Sequence, residues 1–221
     1  MAVTRYQRES AQRFDDWSGT YERSFTWRHF FDPIHRLIES ELGELDGARI
    51  VDVGCGTGGL LRRLAARGEA DLLVGVDESE GMLRVARELA RGCDGLEFLR
   101  GSAQRLPLED GTFDVAVSCI AFHHFPDPAG ALAEISRVLV PGGKLCVADM
   151  CGEGPAARAF LVYGRLCATD TTYYDRAALE QMSTAAGFEV AGLRKIRRFP
   201  PRDAADRRQS HINGVRSLFV R

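Results

Sequence analysis

The chain has 221 residues, 45% of them hydrophobic and 27% charged, with a formal net charge of −2. That balance argues against a disordered or fibrous chain and gives no overall attraction toward polyanions, so no nucleic-acid partner is expected. There is length for one substantial core but no apolar run of about 18 residues, and the N-terminus is too polar for a signal peptide.

A cytoplasmic protein without stable membrane association is therefore expected, as a monomer or homodimer. Six cysteines, at 55, 93, 119, 146, 151 and 167, form no C-x-x-C pair and are read as free thiols; no metal site is expected.

Residues 1 to 31 are rich in aromatics, including Phe14, Trp17, Tyr21, Phe25, Trp27, Phe30 and Phe31, without a clean period. A helix then starts, with Asp32 as N-cap, Pro33 at the first helical position, Ile34, Leu37, Ile38 and Leu42 on one face, and Gly43 as terminator. Residues 1–46 are thus expected to be an N-terminal helical arm or lid, and 47–221 the main domain.

From Ile50 onward, strand and helix patterns alternate as βαβ units require. Strands are expected at about 48–53, 72–76, 96–99, 113–118 and 144–148. The helix between the first two carries Leu60, Leu61 and Leu64; the next is capped by Ser79, with Met82, Leu83, Ala86, Leu89 and Ala90 facing inward. The helix after strand four bears Leu132, Ile135, Val138 and Leu139 and ends at Pro141, followed by a Pro-Gly-Gly turn.

Beyond strand five lie two helices, about 155–168 and 176–186, the second capped by Asp175 and ended by Gly187. Strand-like runs at 188–199 and 212–220 close the chain. The basic run from Arg194 to Arg208 is interrupted by Asp203 and Asp206, which fits a solvated strand and loop better than an RNA surface.

The stretch from Ile50 to Leu60 is the chemical centre. A strand holding Asp52 runs into Gly54, Gly56, Gly58 and Gly59, where the backbone can turn at positive φ and approach a ligand closely. Two spacings overlap there. Gly54-x-Gly56-x-x-Gly59 fits a dinucleotide fingerprint, whereas Asp52-x-Gly54-x-Gly56-x-Gly58 puts an acid ahead of the first glycine. Asp77, 19 residues beyond Gly58, ends the next strand and suits a ribose in either case.

Later segments add to this stretch. Gly75-Val76-Asp77, Gly101-Ser102-Ala103-Gln104-Arg105-Leu106-Pro107-Leu108, Phe113-Asp114-Val115, Phe122-His123-His124-Phe125 and Arg137-Val138-Leu139-Val140-Pro141-Gly142-Gly143 follow in order. Together with Val51-Asp52-Val53-Gly54-Cys55-Gly56-Thr57-Gly58, they make the chain resemble a class I S-adenosylmethionine-dependent methyltransferase. The nearest likeness is to the small enzymes related to ubiquinone and menaquinone C-methyltransferases, over about residues 14 to 193.

The resemblance implies an α/β, Rossmann-like, seven-stranded and mostly parallel sheet with the last strand antiparallel. It also implies helices on both faces, the N-terminal arm, and a helical cap insertion at about 151–175. S-adenosylmethionine is the implied cofactor. Its binding residues would be Tyr21 from the arm, Asp52, Gly54, Cys55, Gly56, Thr57 and Gly58 from the first motif, and Asp77, Glu78 and Met82 from the second strand and its helix. Ser102, Ala103 and Gln104 would serve the adenine side, although Ser102, where the family often has an acid, and Gln104 both depart from its pattern; Ser118, Cys119 and Ile120 would border the methionine end and the methyl.

His123 and His124 are catalytic candidates, with a general base optional, and otherwise hold loops together. Phe25, Trp27, His29, Phe30, Tyr163, Tyr173 and Tyr174 could cap the acceptor. Orientation supplies roughly 7–11 kcal/mol and a positioned base about 10²- to 10⁴-fold, so alignment should dominate an SN2 methyl transfer to a small, apolar or aromatic acceptor. The alternatives are an NAD-dependent oxidoreductase, which the dinucleotide spacing permits, and a non-catalytic cofactor-binding or regulatory protein of the same fold.

Overall fold

The computed structural model describes residues 12, 14–16, 18–19, 31–150, 172–196 and 215–220. The elements are α1 (Asp32–Leu42), β1 (Arg49–Val53), α2 (Gly59–Ala65), β2 (Leu72–Asp77), α3 (Glu80–Leu89), β3 (Leu96–Arg100) and β4 (Phe113–Cys119). They continue with a short 3₁₀ turn (Phe122–His124), α4 (Pro128–Val138), β5 (Leu139–Met150), α5 (Arg176–Ala185), β6 (Val190–Ile196) and β7 (Val215–Val220). The helix expected at 155–168 lies outside the described residues.

The strands form one sheet in the order β3-β2-β1-β4-β5-β7-β6. Pairings from β3 through β5 are parallel, and β7 runs antiparallel to both of its neighbours. This is a Rossmann-like α/β fold with a mostly parallel sheet.

Period-two alternation divides the core between the sheet's two faces. Ile50, Leu73, Val115, Val117, Cys146 and Ala148 pack with Ile34 and Ile38 of α1, Leu60, Leu61 and Leu64 of α2, and Leu83 and Ala86 of α3. Val51, Val53, Val74, Val76, Ala116, Leu145 and Val147 pack with Leu132, Ile135 and Val138 of α4 and Leu179 of α5. A strand with both faces covered has to be apolar throughout, which is why these runs read as continuous hydrophobic stretches.

Several local expectations are revised. Asp32 does not cap α1: the N-cap is Phe31 and makes no side-chain cap bond. The Asp32 carboxylate instead accepts from Arg36 at 2.8 Å and from Arg63 of α2 at 2.7 Å. Leu89 is 43% exposed because it lies to the side of the stripe formed by Met82, Leu83, Ala86 and Ala90. Leu139 opens β5 rather than ending α4, and the Pro-Gly-Gly segment falls within that strand. Gly142 takes φ +81°, and the β4 ladder shifts register between Phe113 and Val115.

The expected caps at Ser79 and Asp175 are present, accepting from Met82 N–H and Ala178 N–H. Helix α5 ends in a Schellman pattern, with Gly187 N–H on Thr184 O and Phe188 N–H on Ser183 O.

Cys55, Cys93, Cys119 and Cys146 are free thiols; Cys151 and Cys167 lie outside the described residues. Among the described residues no helix is long and apolar enough to cross a membrane, and no cluster suits a metal ion.

Gly75, in the middle of β2, has no room for a side chain. A Cβ there would lie 2.7 Å from Cys55 Sγ, 2.7 Å from the Phe98 ring and 3.0 Å from Leu61. Gly75→Ala is expected to destabilise the fold by about 1–3 kcal/mol through overpacking, read as a lower urea midpoint at unchanged m-value.

Candidate functional site

The strand order reverses between β1 and β4, and at that switch point the C-terminal ends of β1, β2 and β4 open into one cavity. The turn after β1 is tied to the end of β2. Gly54 N–H and Cys55 N–H both donate to Val76 O, at 2.8 and 3.2 Å, and Gly56 N–H donates to Asp77 Oδ2 at 2.8 Å.

Gly54, Gly56 and Gly58 all take positive φ, at +80°, +54° and +72°. Two of them also lack space for a Cβ: at Gly54 it would lie 2.5 Å from Ala121 Cβ, and at Gly58 2.5 Å from the Phe98 ring. The first motif is therefore a backbone surface facing the cavity, with Asp52 below it and Asp77 beside it.

Asp52 is 2% exposed, and its Oδ1 has no hydrogen-bond partner among the described residues. Burial, then the nearby Asp77 charge, pushes its carboxyl up to about 8. A buried oxygen with no partner is costly unless a donor or cation meets it, so this atom is suited to a cationic or hydrogen-bonding ligand. Burial raises Asp77 too, against the opposing effect of the Ser79 and Gly56 amides that donate to it. Each Asp77 oxygen keeps a further lone pair with which to accept ligand hydroxyls.

Asp52, Gly54, Cys55, Gly56, Thr57, Asp77, Glu78, Met82, Ala103, Gln104, Cys119 and His124 all line this cavity. Gly58, Ser102, Ser118 and His123 do not appear in its lining. Gly58 is the N-cap of α2, packed on Phe98. Ser118 Oγ donates to Val53 O at 2.9 Å, tying β4 to β1. Ser102 Oγ donates to Gln104 Oε1 at 2.6 Å, so the two residues that depart from the family pattern bond to each other.

The adjacent histidines separate in role. The ring of His124 faces the cavity and meets Phe14 edge-on, with centroids 5.2 Å apart. His123 is 6% exposed; its Nδ1 lies 2.6 Å from Asp149 Oδ1, and its backbone N–H donates to Asp149 Oδ2 at 3.0 Å. Its ring also meets those of His124 and Tyr173 at a tilt, while Tyr174 packs edge-on against Phe122. Tyr173 and Tyr174 thus flank the histidine turn rather than line the cavity. Tyr21, Phe25, Trp27, His29, Phe30 and Tyr163 lie outside the described residues.

Three contributors were not anticipated. His35 of α1 lines the cavity, tilted against Phe31, and is held well below the usual imidazole range, at about 4, by burial and then by the Arg63 charge. Its place between Ile34 and Ile38 on the apolar face was the available signal. Ile120, expected at the end of β4 beside Cys119, does line the cavity and has φ +52°, a conformation strained for a β-branched residue. Asp149 at the end of β5 and Asp15 of the arm complete the set; only tertiary contacts reveal them. Cys55 and Cys119, by contrast, are pushed well above the ordinary thiol range by burial, so neither offers a thiolate.

Residues 51–147 match the methyltransferase domain family. A demethylmenaquinone methyltransferase of Clavibacter sepedonicus is 34% identical over 138 residues, covering 62% of this chain and 56% of that protein. Cycloartenol-C-24-methyltransferase 1 of Oryza sativa subsp. japonica is 34% identical over 138 residues, covering 61% and 38%. The chain therefore spans from little over a third to little over half of these curated relatives.

Among solved structures, a chain from the complex between the Haloferax volcanii Trm112 methyltransferase activator and a methyltransferase superposes with a TM-score of 0.74. It is 26% identical, with 94% of this chain and 96% of that chain covered. Residues 51–147 thus carry a methyltransferase domain, and the fold around them is the one found in S-adenosylmethionine-dependent methyltransferases.

Proposed function

We propose that this protein transfers a methyl group from S-adenosylmethionine to a small apolar or aromatic acceptor held in the cavity at the ends of β1, β2 and β4. The observation that carries this reading is the buried Asp52 oxygen with no partner among the described residues. It fits the cationic methionine end of the cofactor, whereas the pyrophosphate of a dinucleotide would be repelled by two neighbouring carboxylates.

When bound, S-adenosylmethionine supplies a methyl group already activated on a sulfonium. Asp52 would hold the ammonium, the glycine turn would line the methionine end, and Asp77 would accept the ribose hydroxyls. Met82, Ala103 and Gln104 would border the adenine.

Phe14, Phe31, His35, Ile120, His124 and Phe125, all on the cavity wall, would receive the acceptor. Relatives named for demethylmenaquinone and cycloartenol support an apolar acceptor. The chain would orient and desolvate the reactants, with His124 as the optional base and His123 held by Asp149 as its support. Residues 1–46 would serve as the lid and 47–221 as the methyltransferase domain, with a cap insertion at about 151–175. The antiparallel β7 between β5 and β6 supports reading the sheet as the seven-stranded methyltransferase type.

Labelled-cofactor transfer to quinone precursors, phenolics and small amines tests the reading. Binding of S-adenosylhomocysteine without turnover on any of them would return the non-catalytic alternative, and binding of NADH in its place would return the oxidoreductase. Asp77→Ala is expected to weaken S-adenosylhomocysteine about 10- to 100-fold in calorimetry, through loss of hydrogen bonds to a charged group.

Asp52 predicts a pH dependence. In the free protein its carboxyl titrates near 8 against an unperturbed 3.8. The folded state thus retains a proton that the unfolded chain releases, and stability falls as pH rises from about 4 through about 8, levelling beyond. Asp52→Asn should remove that slope and raise urea stability at pH 7 to 8. With wild-type protein, affinity for S-adenosylhomocysteine should rise toward pH 8, with proton release on binding at pH 7 that the Asn variant lacks.

A further inference from the structure

Asp15 lies in the N-terminal arm, 64 residues before Ser79, yet its side chain reaches the start of α3. Its Oδ1 accepts from Gly81 N–H at 2.7 Å and from the Ser79 hydroxyl. The same hydroxyl receives Met82 N–H at 3.1 Å, and Ser79 N–H donates to Asp77 Oδ1 at 2.9 Å. A continuous hydrogen-bonded path therefore runs from the arm to the carboxylate at the end of β2.

The fit is close as well as polar. A Cβ on Gly81 would lie 2.8 Å from both Asp15 Cα and Asp15 Oδ1, so only glycine lets the arm approach there. Asp15 is also held from its own side, with Ser18 Oγ donating to Asp15 O at 2.8 Å. The preceding residue, Phe14, lines the cavity and meets His124 on the β4 side. Two consecutive arm residues thus touch opposite banks of the cavity: Asp15 the α3 bank through Ser79 and Gly81, Phe14 the histidine turn.

We propose that Asp15 is a positioning residue of the cofactor pocket, fastening the arm to Ser79 and Gly81 so that Phe14 spans the cavity and the Ser79–Asp77 bond is kept in place. The pocket role rests on the S-adenosylmethionine reading above. The attachment itself does not, because its contacts lie within the chain.

Two experiments on the full chain separate these levels. Hydrogen exchange on the ligand-free protein should show faster exchange at the Gly81 amide and over residues 14–18 in Asp15→Ala. Gly81→Ala, which unseats Asp15 from the opposite side without removing it, should likewise speed exchange over 14–18. Asp15→Asn, which keeps the accepting oxygen, should retain most of the protection. Stopped-flow dissociation of S-adenosylhomocysteine should be about tenfold faster in both alanine variants, and the double variant should be no faster than either single one. In turnover, KM for the cofactor should rise while kcat at saturating cofactor stays within twofold.

Wild-type exchange in both alanine variants would overturn the attachment. Faster exchange with unchanged dissociation would overturn the pocket role. Failure of the wild-type protein to bind S-adenosylhomocysteine would overturn the cofactor reading and the pocket role together, with exchange still deciding the attachment.

Discussion

The tie between the turn after β1 and the end of β2 is the constraint on which the rest of the site depends. Three amides, from Gly54, Cys55 and Gly56, converge on Val76 O and the Asp77 carboxylate. To deliver them the backbone must pass through positive φ at Gly54, Gly56 and Gly58, and its neighbours must be small or flat enough to admit it. Ala121 and the Phe98 ring meet that requirement from β4's exit loop and from β3. Burial holds Asp52 far above the usual carboxylate range, and the Asp77 charge that lies near it adds to the effect.

That electrostatic state restricts the chemistry. The two cavity cysteines are kept protonated by burial, and His35 is kept neutral. The Nδ1 of His123 is engaged by Asp149. With the thiols and His35 each fixed in one protonation state, the proposed transfer would draw mainly on holding reactants in line and excluding water, the larger of the two effects weighed above. The left-handed Ile120, held by its N–H on Ala148 O at 2.7 Å, fits the same picture: strain kept in place by the ladder beneath it, at the point where β4 enters the cavity.

What could be read from the sequence follows the range of the forces involved. The alternating strands, the Ser79 and Asp175 caps, the glycine turn, Asp52 and Asp77 depend on residues within a turn or two of one another, and period and spacing disclose them. Asp32 looked like a cap by local rules, but its carboxylate is drawn to Arg63, 31 residues away, which no local pattern reports. Pro141-Gly142-Gly143 read as a turn because proline and glycine break regular structure; the parallel ladder to β4 absorbs them by a register shift instead. Asp15, His35 and Asp149 acquire their roles only when the fold brings distant segments together.

The two halves of the cavity are consequently built by different means. The half formed by β1, β2 and the glycine turn is fixed by backbone hydrogen bonds within two successive βα units, so a substitution there disturbs the sheet itself. The half formed by Phe14, Phe31, His35 and the 120–125 turn is assembled from ring contacts between segments that meet only in three dimensions. Ring contacts of this kind contribute only about 0.5–1.5 kcal/mol each beyond the area they bury. Side chains on that half can be exchanged at little cost to the fold, whereas exchange at Gly54, Gly75 or Asp52 alters the sheet and the turn on which the cavity is built. The physical division of the cavity thus explains why the half built on the glycine turn is legible as a motif and the half built on ring contacts is not.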